Sequence, residues 1–246
     1  MTNRAILELL DKKVPFSLAE EWDNVGLLIG SADREVSRVL VTLDATVGAI
    51  EAAKAVGAEL IVTHHPVIFS PLKELHSDSI PYALAAAGID VISVHTNADK
   101  ANGGVNDVLA ARLGLNNLRT TEDGFCRIGT LSEPTDATSF AKTVAETLDT
   151  AVRVNDGGLI RTVAVCGGSG GDFIATLAGK IDAFVSGEVR HHQWLEANDL
   201  GITVVEAGHY ATEVPIVDTL YRWLQEAFPN LPVTAYYDTP PYGTVR

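Results

Sequence analysis

Leu60-Ile61-Val62-Thr63-His64-His65 decides how this chain is read, because an apolar, β-branched run ends there in two adjacent histidines. A short apolar run without polar alternation is a strand buried on both faces. Upstream, residues 46–56 (Thr-Val-Gly-Ala-Ile-Glu-Ala-Ala-Lys-Ala-Val) read as a helix stopped by Gly57, and Val39-Leu40-Val41-Thr42-Leu43-Asp44 as an earlier buried strand. Downstream, residues 78–87 read as a helix stopped by Gly88, and Asp90-Val91-Ile92-Ser93-Val94 as a strand that delivers His95. Buried strands alternating with helices predict an α/β fold with parallel sheets. In such sheets functional groups gather just beyond the carboxyl ends of the strands, where His64, His65 and His95 fall.

The second half repeats the plan. Thr162-Val163-Ala164-Val165-Cys166-Gly167, Asp182-Ala183-Phe184-Val185-Ser186-Gly187 and Ile202-Thr203-Val204-Val205-Glu206-Ala207-Gly208 match the three strands in order, and the last delivers His209. Val41 to Val62 spans 21 residues and Ala164 to Phe184 spans 20. The third steps differ, at 31 residues from His64 to His95 and 22 from Gly187 to His209; the surplus of 9 falls in a loop at residues 66–73. The expectation is two similar α/β halves, three-layered with mostly parallel sheets, and a dinuclear metal site in the cleft between them. The halves are placed at residues 1–120 and 121–246, with the seam in the turn-rich stretch 116–136, and they can be intertwined. The tail after Phe228, with Pro229, Pro232, Pro240 and Pro241, reads as irregular or edge structure.

Composition narrows the function classes. Apolar residues are 46% of the 246, enough for a substantial core, and no apolar run nears the ~20 residues of a membrane span. Met1 to Asp11 carries acidic residues within its apolar stretch and reads as the first helix of the mature fold, not a signal peptide. Cys126 and Cys166 stand far apart and make no metal-binding pair, which suits a reduced cytoplasm. A net charge of −14 argues against general nucleic-acid binding. It leaves a nucleotide substrate open, because bound cations would supply positive charge locally.

His64-His65, His95 with Asp99, and His209 with Glu213 form three histidine–carboxylate clusters. Imidazole and carboxylate without thiol suit divalent transition metals and do not choose among zinc, iron, manganese and nickel. His209 and Glu213 are four apart and share a face if Thr212-Glu213-Val214-Pro215 opens a helix. The same holds for His95 and Asp99, with a loop at Gly103-Gly104 before a helix at 105–113. His76 reads as solvated; His191-His192 occupy the place of His64-His65 in the repeat and read equally as cleft-lining or helix-surface residues. Asp44 ends the first strand and either approaches the cleft or caps the next helix. Gly167-Gly168-Ser169-Gly170-Gly171 lacks the Lys-Ser/Thr ending of a Walker loop and reads as a tight turn in preference to an anion cradle.

Seven segments, in order along nearly the whole chain, carry a resemblance. They are residues 21–28 (Glu-Trp-Asp-Asn-Val-Gly-Leu-Leu), 63–66 (Thr-His-His-Pro), 95–99 (His-Thr-Asn-Ala-Asp), 103–107 (Gly-Gly-Val-Asn-Asp), 166–170 (Cys-Gly-Gly-Ser-Gly), 186–188 (Ser-Gly-Glu) and 208–213 (Gly-His-Tyr-Ala-Thr-Glu). Together they resemble the Nif-three-like family of dinuclear metal proteins, whose members carry the label GTP cyclohydrolase 1 type 2. The stretch 121–161 is too short for the middle domain of longer members, so the chain resembles the compact form. The resemblance implies that His64, His65, Asp99, His209 and Glu213 bind two divalent ions, with Glu213 the bridge. His95, Asp44 and Glu188 are candidates for places behind the ligands, no catalytic residue is assigned, and the roles of Asp23, Asn24 and Asp44 at matching family positions stay open. The resemblance further implies a homohexamer and hydrolysis of GTP or a related nucleotide by metal-activated water. The alternative is a non-enzymatic protein that stores or traffics iron or another metal. Neither reading calls for a membrane or for general nucleic-acid binding.

Overall fold

A computed structural model describes residues 1–243; the last three residues of the Pro-rich tail lie outside them. The first elements are α1 (Asn3–Lys13), β1 (Gly26–Ile29), β2 (Val39–Thr42), α2 (Val47–Val56), β3 (Leu60–Thr63), α3 (Ile80–Ala86), β4 (Asp90–Ser93) and α4 (Thr96–Lys100). There follow α5 (Val105–Arg112), β5 (Asn116–Thr120), β6 (Arg127–Asp136), α6 (Ala137–Thr147), β7 (Arg153–Val154), β8 (Leu159–Cys166), α7 (Ile174–Leu177) and β9 (Ala183–Ser186). The last are α8 (His191–Leu200), β10 (Thr203–Glu206), α9 (His209–Glu213), α10 (Ile216–Ala227) and β11 (Val233–Ala235). No helix among the described residues is long and apolar enough to cross a membrane.

The chain divides into two compact units. One comprises residues 1–104 with 216–239, the other residues 105–215 with the end of the chain. The first holds a five-stranded sheet in the order β1-β4-β3-β2-β11. β11, β2, β3 and β4 run parallel, and β1 closes the edge antiparallel to β4. All twelve residues of β2, β3 and β4 are buried. Alternate residues point to opposite faces, so Leu40, Ile61 and Val91 pack with Ile50 and Ala53 of α2 and Leu84 of α3. Val39, Val41, Leu60 and Val62 serve the other face and are likewise at or near zero exposure. The helix ends are where local chemistry puts them. The Thr46 hydroxyl accepts from the Ala49 amide, and Gly57 (φ 70°) turns left-handed to close α2, a conformation that a side chain disfavours.

The second unit holds a six-stranded sheet in the order β5-β6-β8-β9-β10-β7. β8, β9 and β10 are parallel. Val163, Val165, Val185 and Val205 enter one core with Phe140 of α6, while Ala164, Phe184 and Val204 enter another with Ala197 of α8, so both faces are covered. The register reproduces the sequence repeat, since Val41 pairs with Val62 and Ala164 with Phe184. β5, β6 and β7 pair antiparallel, so this sheet is mixed and not mostly parallel. The physical reason lies in residues 116–136, where β5 and β6 pair as a hairpin, and hairpins are antiparallel by construction. β11, from the Pro-rich tail, is an edge strand on β2.

Candidate metal centre

In the first unit β3 ends at Thr63, and the chain turns so that His64 and His65 do not continue the strand. The Thr63 hydroxyl donates to the His65 carbonyl (2.8 Å), and the His64 and His65 amides both donate to the Leu43 carbonyl. This fold-back lets two adjacent side chains share one side. Their ring centroids are 4.9 Å apart, and His95, at the start of α4, lies 5.2 Å from His64 and 5.6 Å from His65. One ring nitrogen from each of the three falls within 4.8 Å of the others. Asp99, one turn along α4, brings Oδ1 to 3.6 Å from His64 Nε2.

Each of these imidazoles is held by Nδ1. His64 Nδ1 is 2.8 Å from the Val94 carbonyl, His65 Nδ1 is 2.7 Å from Asp44 Oδ1, and His95 Nδ1 is 2.8 Å from Asp23 Oδ1. A carbonyl or an ionised carboxylate only accepts, so Nδ1 is the donor in each pair, and in a neutral ring Nε2 is then the nitrogen with the lone pair. That is the arrangement in which a neutral imidazole ligates a metal while its other nitrogen is oriented from behind. Asp44 therefore serves His65, and Thr46 takes the capping role on α2. Asp23 is enclosed. Burial pushes its carboxyl pKa up, but hydrogen bonds from His95 and from the Thr96 hydroxyl and amide outweigh this and hold it well below the ordinary range.

In the second unit the pattern recurs. His209 opens α9 and Glu213 ends it, so Glu213 closes a short helix and α10 starts afresh at Ile216. This corrects the expected helix start at Thr212, because Gly208 (φ 85°) has already turned the chain into a helix. Nδ1 of His209 donates to Glu188 Oε1 at 3.0 Å, and its Nε2 lies 3.0 Å from Glu213 Oε2. Glu188 in turn accepts from the Ser169 hydroxyl. That bond is the main cause of the lowered Glu188 pKa; partial burial opposes it and His209 adds to it.

The glycine-rich stretch 167–171 is explained by this neighbourhood. The amides of Gly167, Gly168 and Gly170 donate to Asn106, Thr212 and Ser186 side chains, so they are committed inside the unit. A Cβ on Gly168 (φ 60°) would sit 2.2 Å from Glu213 Oε1 and 3.1 Å from His209 Nε2. The turn lacks side chains because the two candidate ligands occupy that space. His191 and His192 open α8 and are exposed, and exposed His76 pairs with Glu74. Sequence reading gave Ser169, Asp23 and the Val94 carbonyl no role of their own; the Asp23 signal lay in residues 21–24, which carry four polar or aromatic residues before an apolar strand.

The profile of the family described as Duf34/NIF3 (NGG1p interacting factor 3) matches residues 1–241. A Streptomyces coelicolor protein named GTP cyclohydrolase 1 type 2 homolog is 35% identical over 230 residues, covering 85% of this chain and 81% of the relative. The crystal structure of a hypothetical protein of Staphylococcus aureus is 28% identical and superposes with a TM-score of 0.92, covering 100% of this chain and 99% of that one. A Bacillus cereus protein related to NIF3 shares the fold at 24% identity, with a TM-score of 0.93 over 100% of this chain and 99% of that one.

Proposed function

The chain belongs to the Duf34/NIF3 family, and from that premise we propose that it is a divalent-metal-dependent hydrolase acting on GTP or a related nucleotide. His64, His65 and Asp99 of the first unit, with His209 and Glu213 of the second, are the proposed ligands of two ions, Glu213 being the bridge. One observation carries this reading. Four imidazoles (His64, His65, His95 and His209) are each held through Nδ1 by a carbonyl or carboxylate, which leaves Nε2 as the ligating atom of His64, His65 and His209 and as the proton-handling atom of His95. Histidines kept for packing alone do not require the same nitrogen to be tied back four times.

Bound divalent ions supply Lewis acidity and acidify water at neutral pH. The remaining roles belong to the chain. Asp44 and Glu188 orient His65 and His209. His95, held by Asp23, stands beside His64 and His65 and can hold or pass a proton at Nε2. The proposed assembly is a homo-oligomer, a hexamer by resemblance to the compact family members. The proposed location is the cytoplasm, where the two buried thiols, Cys126 and Cys166, stay reduced.

The test is reconstitution with zinc, iron, manganese and nickel in turn, followed by assay of GTP turnover. His65→Ala is expected to abolish turnover while circular dichroism and thermal melting report a folded protein. Turnover that survives loss of His65 and of bound metal would sink the hydrolase reading. Tight metal binding with no turnover under any metal would turn the reading to metal storage or trafficking.

A further inference from the structure

Two large aromatic side chains stand in water beside the imidazole cluster of the first unit. Trp22 is 59% exposed and Phe69 is 52% exposed. Their ring centroids are 5.9 Å apart with the planes tilted by 54°. Trp22 lies 6.4 Å from the His95 ring and Phe69 lies 6.2 Å from it, both nearly edge-on. His95 in turn contacts His64 and His65, so the aromatic pair and the candidate ligands form one continuous surface.

These rings are positioned from both sides. Asp23, next to Trp22, accepts from His95 Nδ1, the Thr96 amide and the Thr96 hydroxyl. Asn24 donates through Nδ2 to the carbonyl of Ile68 at 2.6 Å, and Ile68 immediately precedes Phe69. The turn that carries Trp22 and the loop that carries Phe69 are thus tied to each other and to α4. That loop, residues 64–79, contains no helix or strand and includes the nine-residue surplus by which the first repeat exceeds the second. Exposed aromatics on tethered segments, at the border of a polar cluster, have the makings of a binding surface. An indole face with a second ring tilted against it suits a flat ring. Stacking needs no positive charge from the protein, which fits a chain of net charge −14.

We infer that Trp22 and Phe69 form a stacking platform for a planar heteroaromatic base, holding a nucleoside ring beside His95. The inference rests on the nucleotide reading above for its ligand class. It does not rest on catalysis.

The probe is guanosine, which lacks phosphate and so needs no bound cation to offset charge. Full-length protein stripped of metal by chelation is titrated while tryptophan fluorescence and calorimetry report binding. Saturable quenching is expected. Trp22→Leu and Phe69→Leu should each weaken binding on the order of ten-fold, the loss expected for one stacked base, and Trp22→Phe should retain most of the affinity. Trp194→Phe should keep the guanosine affinity of the parent. Adenosine should bind comparably, since every base presents a π-face, and ribose alone should not bind. The proposal is overturned if folded wild-type protein binds no nucleoside, if ribose competes as well as guanosine, or if Trp22→Leu and Phe69→Leu leave affinity unchanged. A change of oligomer size in those variants with unchanged affinity would assign the rings to contact between copies and overturn it equally. Binding that follows these expectations in a protein without GTP turnover would leave the platform standing and reject the hydrolase reading alone.

Discussion

At the scale of single residues, the candidate centre depends on groups that never reach a ligand. Glu188 is more than half exposed at its side chain, yet it joins the Ser169 hydroxyl to His209 Nδ1. Glu188→Gln preserves shape and removes charge. Loss of such a partner lowers metal affinity about 10–100-fold in comparable sites. Competition with a chelating dye should show a drop of that order, with an unchanged melting temperature; undiminished affinity would mean that Glu188 does not set His209. Asp23 makes a prediction with a sign. Its folded pKa lies below its unfolded value of about 3.9. A depressed carboxylate contributes stability that is complete above the unfolded pKa and is lost as pH falls through the folded one. The stability gap between wild type and Asp23→Asn in urea unfolding should therefore be constant from about pH 7 to 5 and narrow from about pH 4 downward. A gap that widens on acidification would refute the assignment.

At the scale of elements, what was legible in the sequence was what local chemistry dictates. The six central strands are built on short, largely apolar runs, and α2 carries both of its signals, a threonine cap and a left-handed glycine. These need no partner to be recognised. β11 is different. Its three residues are only half-buried and become a strand because β2 offers an edge to pair with. β5 is exposed throughout, and its Asn-Asn opening looks like a turn; it is held by the hairpin with β6. The candidate ligands were legible because they follow buried strands. Of their supports, Asp44 and Glu188 were already named in the sequence reading; Asp23 and the Val94 carbonyl were not legible, because Asp23 meets His95 across 72 residues and the Val94 carbonyl meets His64 across 30. Trp22 and Phe69 escaped for the same reason. An aromatic residue in a turn and another in a loop carry no periodicity, and only tertiary structure brings them 5.9 Å apart.

At the scale of the whole molecule, the order of the chain and the order of the units differ. The polypeptide leaves the first unit after Gly104, builds the second, and returns at Ile216 to add α10 and β11. The first unit is incomplete until residues 216–239 are made. Ile216, Val217, Leu220 and Leu224 of α10 are all at 0% exposure. Burying such side chains stabilises by about 1.5–3 kcal/mol each. Together that is on the order of 6 kcal/mol or more, comparable to the about 5–15 kcal/mol net stability of a typical domain. β11 further completes the parallel edge of β2, whose backbone groups would otherwise face water. The second unit depends less on it: the tail end from Pro240 also belongs to that unit, but its two described cores draw on residues 109–207. A chain ended after Pro215 should therefore separate the two. Hydrogen exchange read by mass spectrometry is expected to show the amides of β2, β3 and β4 exchanging rapidly while those of β8, β9 and β10 stay protected. Equal protection in both sheets would mean that the first unit stands without its returning segment; equal loss would mean that the second unit cannot hold its fold alone.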